Sequence, residues 1–270
     1  MKYPSWLFGI ASALAGLFDL IWGEFEPAHQ PIQAWSDHIP GLPILSRIAA
    51  LWLILAGLSL LFRRTARTGA AALAVLYSIF CFFPLPRLIS APHYLGHHPG
   101  VYIGVLITVA QQLILFVAAG VLYLFLAQGS VISSRTTLAV RLLFGLCCVE
   151  FALGHFTGIR GTAAMIPSWI PLSGAFWTVL TGIAFLLAGL AIITGILDVL
   201  SARLLALMLL IFSITVLAPR VMAHPHDLVT WGSSAYNLTA VAAAWILSDW
   251  LEGSCHVVTR KQPLVPAGTA

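Results

Sequence analysis

Eight apolar runs, at about 6–23, 46–62, 70–89, 101–126, 139–156, 173–196, 200–218 and 234–251, alternate with short polar segments. Within each run the apolar residues are continuous rather than alternating, which predicts helices and not the strands of a barrel. Each run approaches the roughly 20 apolar residues that a helix needs to cross a bilayer. The order of signals repeats between 8–126 and 139–251, about 131 positions apart. Gly23-Glu24-Phe25 answers Gly154-His155-Phe156, and Asp19 answers Glu150. Ile39-Pro40 and Pro43 answer Ile166-Pro167 and Pro171, and Leu55-Ala56-Gly57 answers Leu187-Ala188-Gly189. Leu85-Pro86-Arg87 answers Ala218-Pro219-Arg220. Self-similarity of this kind sets the architecture. The pattern predicts an all-α integral membrane protein whose eight transmembrane helices form two four-helix repeats. The first repeat covers 1–127, a linker 128–138, the second repeat 139–251 and a polar tail 252–270. An even number of spans per half inserts both halves the same way, so the repeats are parallel.

Composition and charge sharpen this picture. Hydrophobic residues make up 60% and charged residues 8% of the chain, against about 25% charged in soluble domains. The first run carries Asp19 and is not followed by a small-residue cleavage pattern, so it reads as a permanent helix. Arg63, Arg64, Arg67, Arg135, Arg141, Arg203, Arg260 and Lys261 fall on one side of an eight-span topology. Glu24, Glu26, Asp37 and Asp227 fall on the other, with fewer basic residues, Arg47, Arg87, Arg160 and Arg220. The positive-inside rule then expects an inner-membrane, multi-pass protein with both termini cytoplasmic. The net charge of +4 serves orientation and does not imply nucleic acid; the expected partner is the lipid bilayer. Cys81, Cys147 and Cys148 lie in predicted spans, Cys255 lies in the tail, and no Cys-x-x-Cys occurs. Buried thiols of this kind act as small apolar residues. The longer loops, and Trp22, Trp35, Trp169, Trp177 and Trp231, fall near the expected outer boundary, as interfacial anchors do.

Ionisable residues inside spans are the sharpest chemical signal. Asp19 and Glu150 occupy matching repeat positions, each four residues before a glycine on the same helix face. Either acid serves as a proton acceptor or ligand contact, or as a protonated partner in an interhelical hydrogen bond. His155 and its counterpart Glu24 follow the two glycines. Glu150 and His155 lie roughly 140° apart on a helix, so they flank a vestibule rather than pair. His29, His38, His93, His97, His98, His155, His224 and His226 all fall on the expected outer side, without a defined metal signature; haem or copper ligation, a proton relay and plain polar loop residues are the readings open to them. Gln111, Gln112 and Asn237 read as interhelical hydrogen-bonding groups, with ligand contact as the alternative, and Arg87 and Arg220 as caps of helix carbonyls, with attraction of an anionic substrate as the alternative.

In the second half, Glu150-Phe-Ala-Leu-Gly-His-Phe-Thr, Thr162-Ala-Ala-Met-Ile-Pro-Ser-Trp-Ile-Pro and Phe176-Trp-Thr-Val-Leu-Thr-Gly-Ile-Ala-Phe-Leu-Leu-Ala-Gly together resemble the DoxX-like family of small four-helix membrane proteins. The first half resembles it through Gly23, Pro40, Pro43 and Leu55-Ala56-Gly57. The resemblance implies a four-helix unit and, for some relatives, membership of membrane oxidoreductase complexes such as thiosulfate:quinone oxidoreductase. The functional expectation is a redox-associated subunit that binds a quinone-like lipid near its outer face and works with a redox partner protein. Glu150 and His155 would handle protons as catalytic residues, and Asp19, Glu24, Trp22 and Trp169 would contact the ligand. Two other readings stay open: a small-molecule carrier, and a noncatalytic scaffold for a partner enzyme.

Overall fold

The computed structural model describes residues 3–30, 40–128 and 133–259, and the side chains of 5–30, 40–127 and 133–253. Trp35, Asp37, His38, Ile39, part of the linker, and the tail residues Arg260 and Lys261 lie outside the described residues; the side chains of Cys255 and His256 are likewise outside. Among the described residues every regular element is helical: α1 (Tyr3–Trp22), α2 (Leu42–Ser59), α3 (Ala66–Phe82), α4 (Arg87–Leu95), α5 (Pro99–Gln128), α6 (Ser134–Thr157), α7 (Ile159–Ala163), α8 (Gly174–Thr194), α9 (Asp198–Phe212), α10 (Ala218–Ala223) and α11 (Leu228–Thr259). A π-helical turn, Ser213–Leu217, joins α9 to α10.

Local chemistry sets the boundaries. Ser133 and Ser173 cap α6 and α8, each hydroxyl accepting an N–H three residues on at 3.1 Å. Asp227 caps α11 by accepting from the Val229 N–H at 3.2 Å and from the Thr230 hydroxyl at 2.5 Å. The Thr230 hydrogen bond holds the Asp227 carboxyl below its ordinary range. Pro84 and Pro86 fall at the break between α3 and α4, where the axis bends by 41°.

Among the described residues, six helical segments are long and apolar enough to cross a bilayer, or seven if the bent α3–α4 pair is one span. The expected count of eight is therefore met only in part. The run at 234–251 lies in α11, which carries Ser234, Asn237, Thr239 and Ser248 and does not reach the apolarity of the others. Its environment explains the difference. α11 packs against α1, α5 and α9, and Ala242, Ala243, Ala244 and Leu247 are fully buried. A helix surrounded by other helices tolerates polar groups that lipid does not. α11 also continues to Thr259, past residue 251 where the apolar run ends.

The remaining packing follows a ring: α1 on α2, α2 on α3, α3 on α5, α5 on α6, α6 on α8, α8 on α9, α9 on α11 and α11 on α1. The α5–α11 contact crosses the ring and divides it into two compartments. The first is filled by Phe8, Leu53, Leu73, Tyr77 and Phe80, all essentially inaccessible. The Tyr77 hydroxyl donates to Ser12 Oγ at 2.8 Å, which in turn donates to the Phe8 carbonyl at 2.8 Å.

The turn from α8 to α9 holds Gly195 and Leu197 at positive φ, +77° and +57°. That conformation is unfavourable for leucine. Arg141 of α6 lies over Gly195, where a Cβ would meet its guanidinium at 3.0 Å. It donates to Asp198 at 2.5 Å and so fastens this turn to α6. Arg141→Ala is expected to cost about 2 kcal/mol, because a largely buried carboxylate loses its charged donor. A thermal melt in detergent checks this; an unchanged midpoint would mean that the pair contributes nothing.

Candidate functional site

Gly23 adopts φ +70° and ends α1, its N–H donating to the Asp19 carbonyl at 2.9 Å. The chain then turns back into the helix bundle rather than running out over its surface. Asp19 draws it in. One carboxylate oxygen accepts the Glu26 N–H at 2.9 Å, and the other lies 3.1 Å from His29 Nδ1. The His29 ring stacks on Phe80 with centroids 4.3 Å apart, and Phe25 meets Phe80 and Phe83 edge-on. Arg87 donates to the Pro27 carbonyl at 3.5 Å and to the Gln30 carbonyl, holding the segment from the other side. Gly23 thus acts as the turn, and the backbone that approaches Asp19 is the chain's own.

Burial disfavours charging His29, but the hydrogen bond to Asp19 and the charges of Asp19 and Glu26 outweigh it and raise its pKa above the ordinary value. Burial pushes the Glu26 carboxyl up, with smaller opposing pulls from His29, the Ala28 N–H and Arg87. Glu26 Oε2 accepts that Ala28 N–H at 2.8 Å. Its side chain presses against Gly232 of α11, where a Cβ would come within 2.1 Å of Glu26 Cγ. A missing side chain on α11 is what lets Glu26 reach across toward the second compartment.

That compartment holds a cavity of about 380 Å³, within the usual range of ligand pockets. Its walls are mainly apolar, from Ile107, Phe144, Phe151, Phe185, Leu205 and Leu209. Glu26, Gln111, His155 and Tyr236 bring polar chemistry to it. His155 Nδ1 lies 2.7 Å from the Phe151 carbonyl. A carbonyl only accepts, so Nδ1 carries the proton, and Nε2 is the acceptor of the neutral ring. The ring leans on Phe185 at 5.2 Å, which fixes its orientation. Asn237 and Thr181 also line the cavity but serve the helices. Asn237 donates to the Leu209 carbonyl and to Ser213 Oγ, both at 2.7 Å. Thr181 donates to the Trp177 carbonyl at 2.8 Å.

The other candidate residues fall elsewhere. Asp19 is fully buried in the first compartment, and Glu24 is exposed. Neither lines the cavity. Glu150 is partly buried on α6 and also does not line it; its Oε1 has no hydrogen-bond partner among the described residues. The angular separation of Glu150 and His155 on α6 accounts for their different surroundings. Trp22 packs edge-on to Phe18 at 6.3 Å. Trp169 is 63% exposed and lies on an outer groove beside Trp177. Trp177 and Trp231 donate to the Pro171 and Pro225 carbonyls at 2.7 and 2.9 Å, as boundary anchors. Gln111 lines the cavity, whereas both amide atoms of its neighbour Gln112 are buried without a partner among the described residues. Cys147 and Cys148 are buried. Among the described residues no group of three or more His, Cys, Asp or Glu is placed to hold a metal ion.

Glu26 is the functional candidate that sequence reasoning passes over. Its signal is indirect: an acid three residues before a histidine, just beyond a helix that ends in a buried acid and a glycine. In comparisons with protein-family models, curated proteins and solved structures, nothing matches this chain.

Proposed function

We propose that this chain is an inner-membrane protein of two parallel four-helix repeats, DoxX-like in kind, that binds a quinone-like molecule in the cavity of its second half. The single observation that carries the binding reading is the cavity itself: about 380 Å³, apolar-walled, with Glu26 and His155 both on its lining. A planar, mostly apolar ring with hydrogen-bonding oxygens suits such a lining. Protonated Glu26 donates to one oxygen and exchanges its proton, and His155 Nε2 accepts from the hydroxyl that forms on reduction. Reduction of a quinone takes up two electrons and two protons; the electrons come from a redox partner protein, and this chain binds, orients and shuttles protons.

The repeat reading is supported by helix pairing. α1 on α2 corresponds to α6 on α8, α2 on α3 to α8 on α9, and α3 on α5 to α9 on α11. α11 on α1 likewise corresponds to α5 on α6. In this reading α11 is the eighth span, and both termini are cytoplasmic. The halves have diverged in use: the 25–30 segment and its aromatic neighbours fill the first compartment, and the second keeps the cavity.

The test is binding of a short-chain benzoquinol, the reduced form, to the full chain in nanodiscs. His155→Phe keeps the contact with Phe185 and removes the ring nitrogens. It is expected to weaken binding about tenfold, the effect of one buried hydrogen bond. Glu26→Gln keeps an acceptor for the Ala28 N–H and is expected to flatten the pH dependence of binding. Unchanged affinity and pH profile in both variants would refute the reading.

A further inference from the structure

A second concavity, about 430 Å³, lies on the outside of α8 and α9. Its walls include Trp177, Leu180, Ala184, Leu204, Leu207 and Met208. Leu180, Leu204 and Leu207 are 43%, 55% and 50% exposed, and they belong to two segments long and apolar enough to cross a bilayer. The groove and the inner cavity are not separate features. Ile166, Thr181, Phe212 and Val216 line both. These four residues form a shared partition between the cavity and the lipid-facing surface.

The partition is chemically suited to passing an apolar chain. Three of its residues are apolar, and the Thr181 hydroxyl is already satisfied by the Trp177 carbonyl at 2.8 Å. An apolar group crossing there strips no water and breaks no ligand-directed hydrogen bond. The π-helical turn contributes Thr215 to the groove, Leu217 to the cavity and Val216 to both. A π turn displaces side chains from the regular helical register and often marks functional sites. Asn237 secures this one by donating to the Leu209 carbonyl and Ser213 Oγ at 2.7 Å each, so the distortion is built in rather than frayed.

Resting on the cavity reading above, we propose that the ligand is a tailed lipid which enters sideways from the bilayer between α8 and α9. Its polar ring occupies the cavity beside His155 and Glu26, and its apolar tail lies in the outer groove across the Ile166–Thr181–Phe212–Val216 partition. The substrate class is therefore a membrane-resident, chain-bearing molecule rather than a water-soluble one. The occupant of the groove is the tail of the cavity's own ligand, because the two spaces share walls.

The experiment compares two probes on the full chain in phosphatidylcholine nanodiscs: a benzoquinone with a decyl chain, and the same ring with a methyl group in its place. Binding is read as a bilayer-corrected Kd, from quenching of tryptophan fluorescence. Ala184→Phe fills the groove from a lipid-facing position that does not line the cavity. It is expected to weaken the decyl probe about tenfold, through overpacking of the tail, and to leave the methyl probe within about twofold. Leu207→Trp, at a second groove position, should act in the same direction. Equal effects on both probes, or none on either, would overturn lateral tail binding while leaving the cavity reading intact. If the parent chain binds neither probe, the cavity reading itself fails and this inference with it. Groove variants that change only phospholipid retention in native mass spectrometry would assign the groove to bulk lipid and also overturn the inference.

Discussion

His29→Leu is expected to destabilise the folded protein by about 3–5 kcal/mol, the cost of stranding one member of a buried ion pair. Asp19 is fully inaccessible, and its second carboxylate oxygen pairs with His29 at 3.1 Å. Leucine matches much of the ring's bulk against Phe80, so the loss reports the missing hydrogen bond and charge more than a void. Asp19→Asn combined with His29→Leu should recover part of the loss, since a neutral amide is far cheaper to bury than an unpaired carboxylate. A double-mutant cycle on thermal or chemical melts isolates the coupling. The pH dependence has a defined sign. His29 has a raised pKa in the folded chain, so its contribution is complete below its ordinary value of 6.5 and is lost as pH rises through the folded value. Glu26 is also raised, from 4.5, so the native state again binds more protons than the unfolded one. Both groups make the parent less stable as pH rises from acid through neutrality, and His29→Leu should remove the part that sets in above about pH 6.5. A single variant within about 1 kcal/mol of the parent would show that Asp19 is not held by His29.

Periodicity and composition carry most of the architecture. The apolar runs correspond to long helices because a run of that length in lipid must satisfy its own backbone. α11 is the instructive exception. Hydropathy measures transfer to lipid, and α11 transfers into protein, so its Asn237 and Ser248 weaken a signal that still marks a helix. Asp19 is visible in sequence as an acid inside a span, but its partner is not. His29 lies ten residues on, beyond Gly23, in what reads as a loop, and only the fold-back of that loop joins them. Glu26 is hidden for the same reason: beside Glu24 it looks like one of two solvated acids, and Gly232, more than two hundred positions later, makes room for it. Nor does the pattern say which compartment stays open. That depends on Phe8, Tyr77 and Phe80 filling the first, which is a matter of side-chain volume in three dimensions. His155 is legible because it follows Gly154 as Glu24 follows Gly23, in the order of signals that recurs along the sequence.

Gly57→Leu and Gly189→Leu are each expected to prevent correct helix packing altogether, and the graded alanine series shows why. The repeated Leu-Ala-Gly triplets put a glycine at the same kind of crossing in each half: α1 on α2, and α6 on α8. A Cβ at 57 would lie 2.5 Å from the Gly9 carbonyl oxygen, 2.9 Å from the Ala13 nitrogen and 3.1 Å from Ala13 Cβ. A Cβ at 189 would lie 2.8 Å from the Gly145 carbonyl oxygen, 3.0 Å from Val149 Cγ2 and 3.1 Å from the Val149 nitrogen. Within lipid no hydrophobic force holds helices together, so close van der Waals contact at small residues carries the association. Alanine at either site forces the two backbones apart, at about 1–3 kcal/mol. Gly57→Ala should cost more than Gly189→Ala, because its backbone contacts are shorter and its side-chain contact, Ala13 Cβ, cannot change rotamer as Val149 Cγ2 can. Gly104 and Gly120 on α5 provide the control. Nothing lies within 4 Å of a Cβ at either, so alanine there should be neutral or gain up to about 1 kcal/mol from helix propensity. Melting midpoints and size-exclusion profiles of the four alanine variants order these effects. If Gly57→Ala melts with the α5 controls, the α1–α2 crossing is not the close contact described, and the match between the two triplets loses its physical basis.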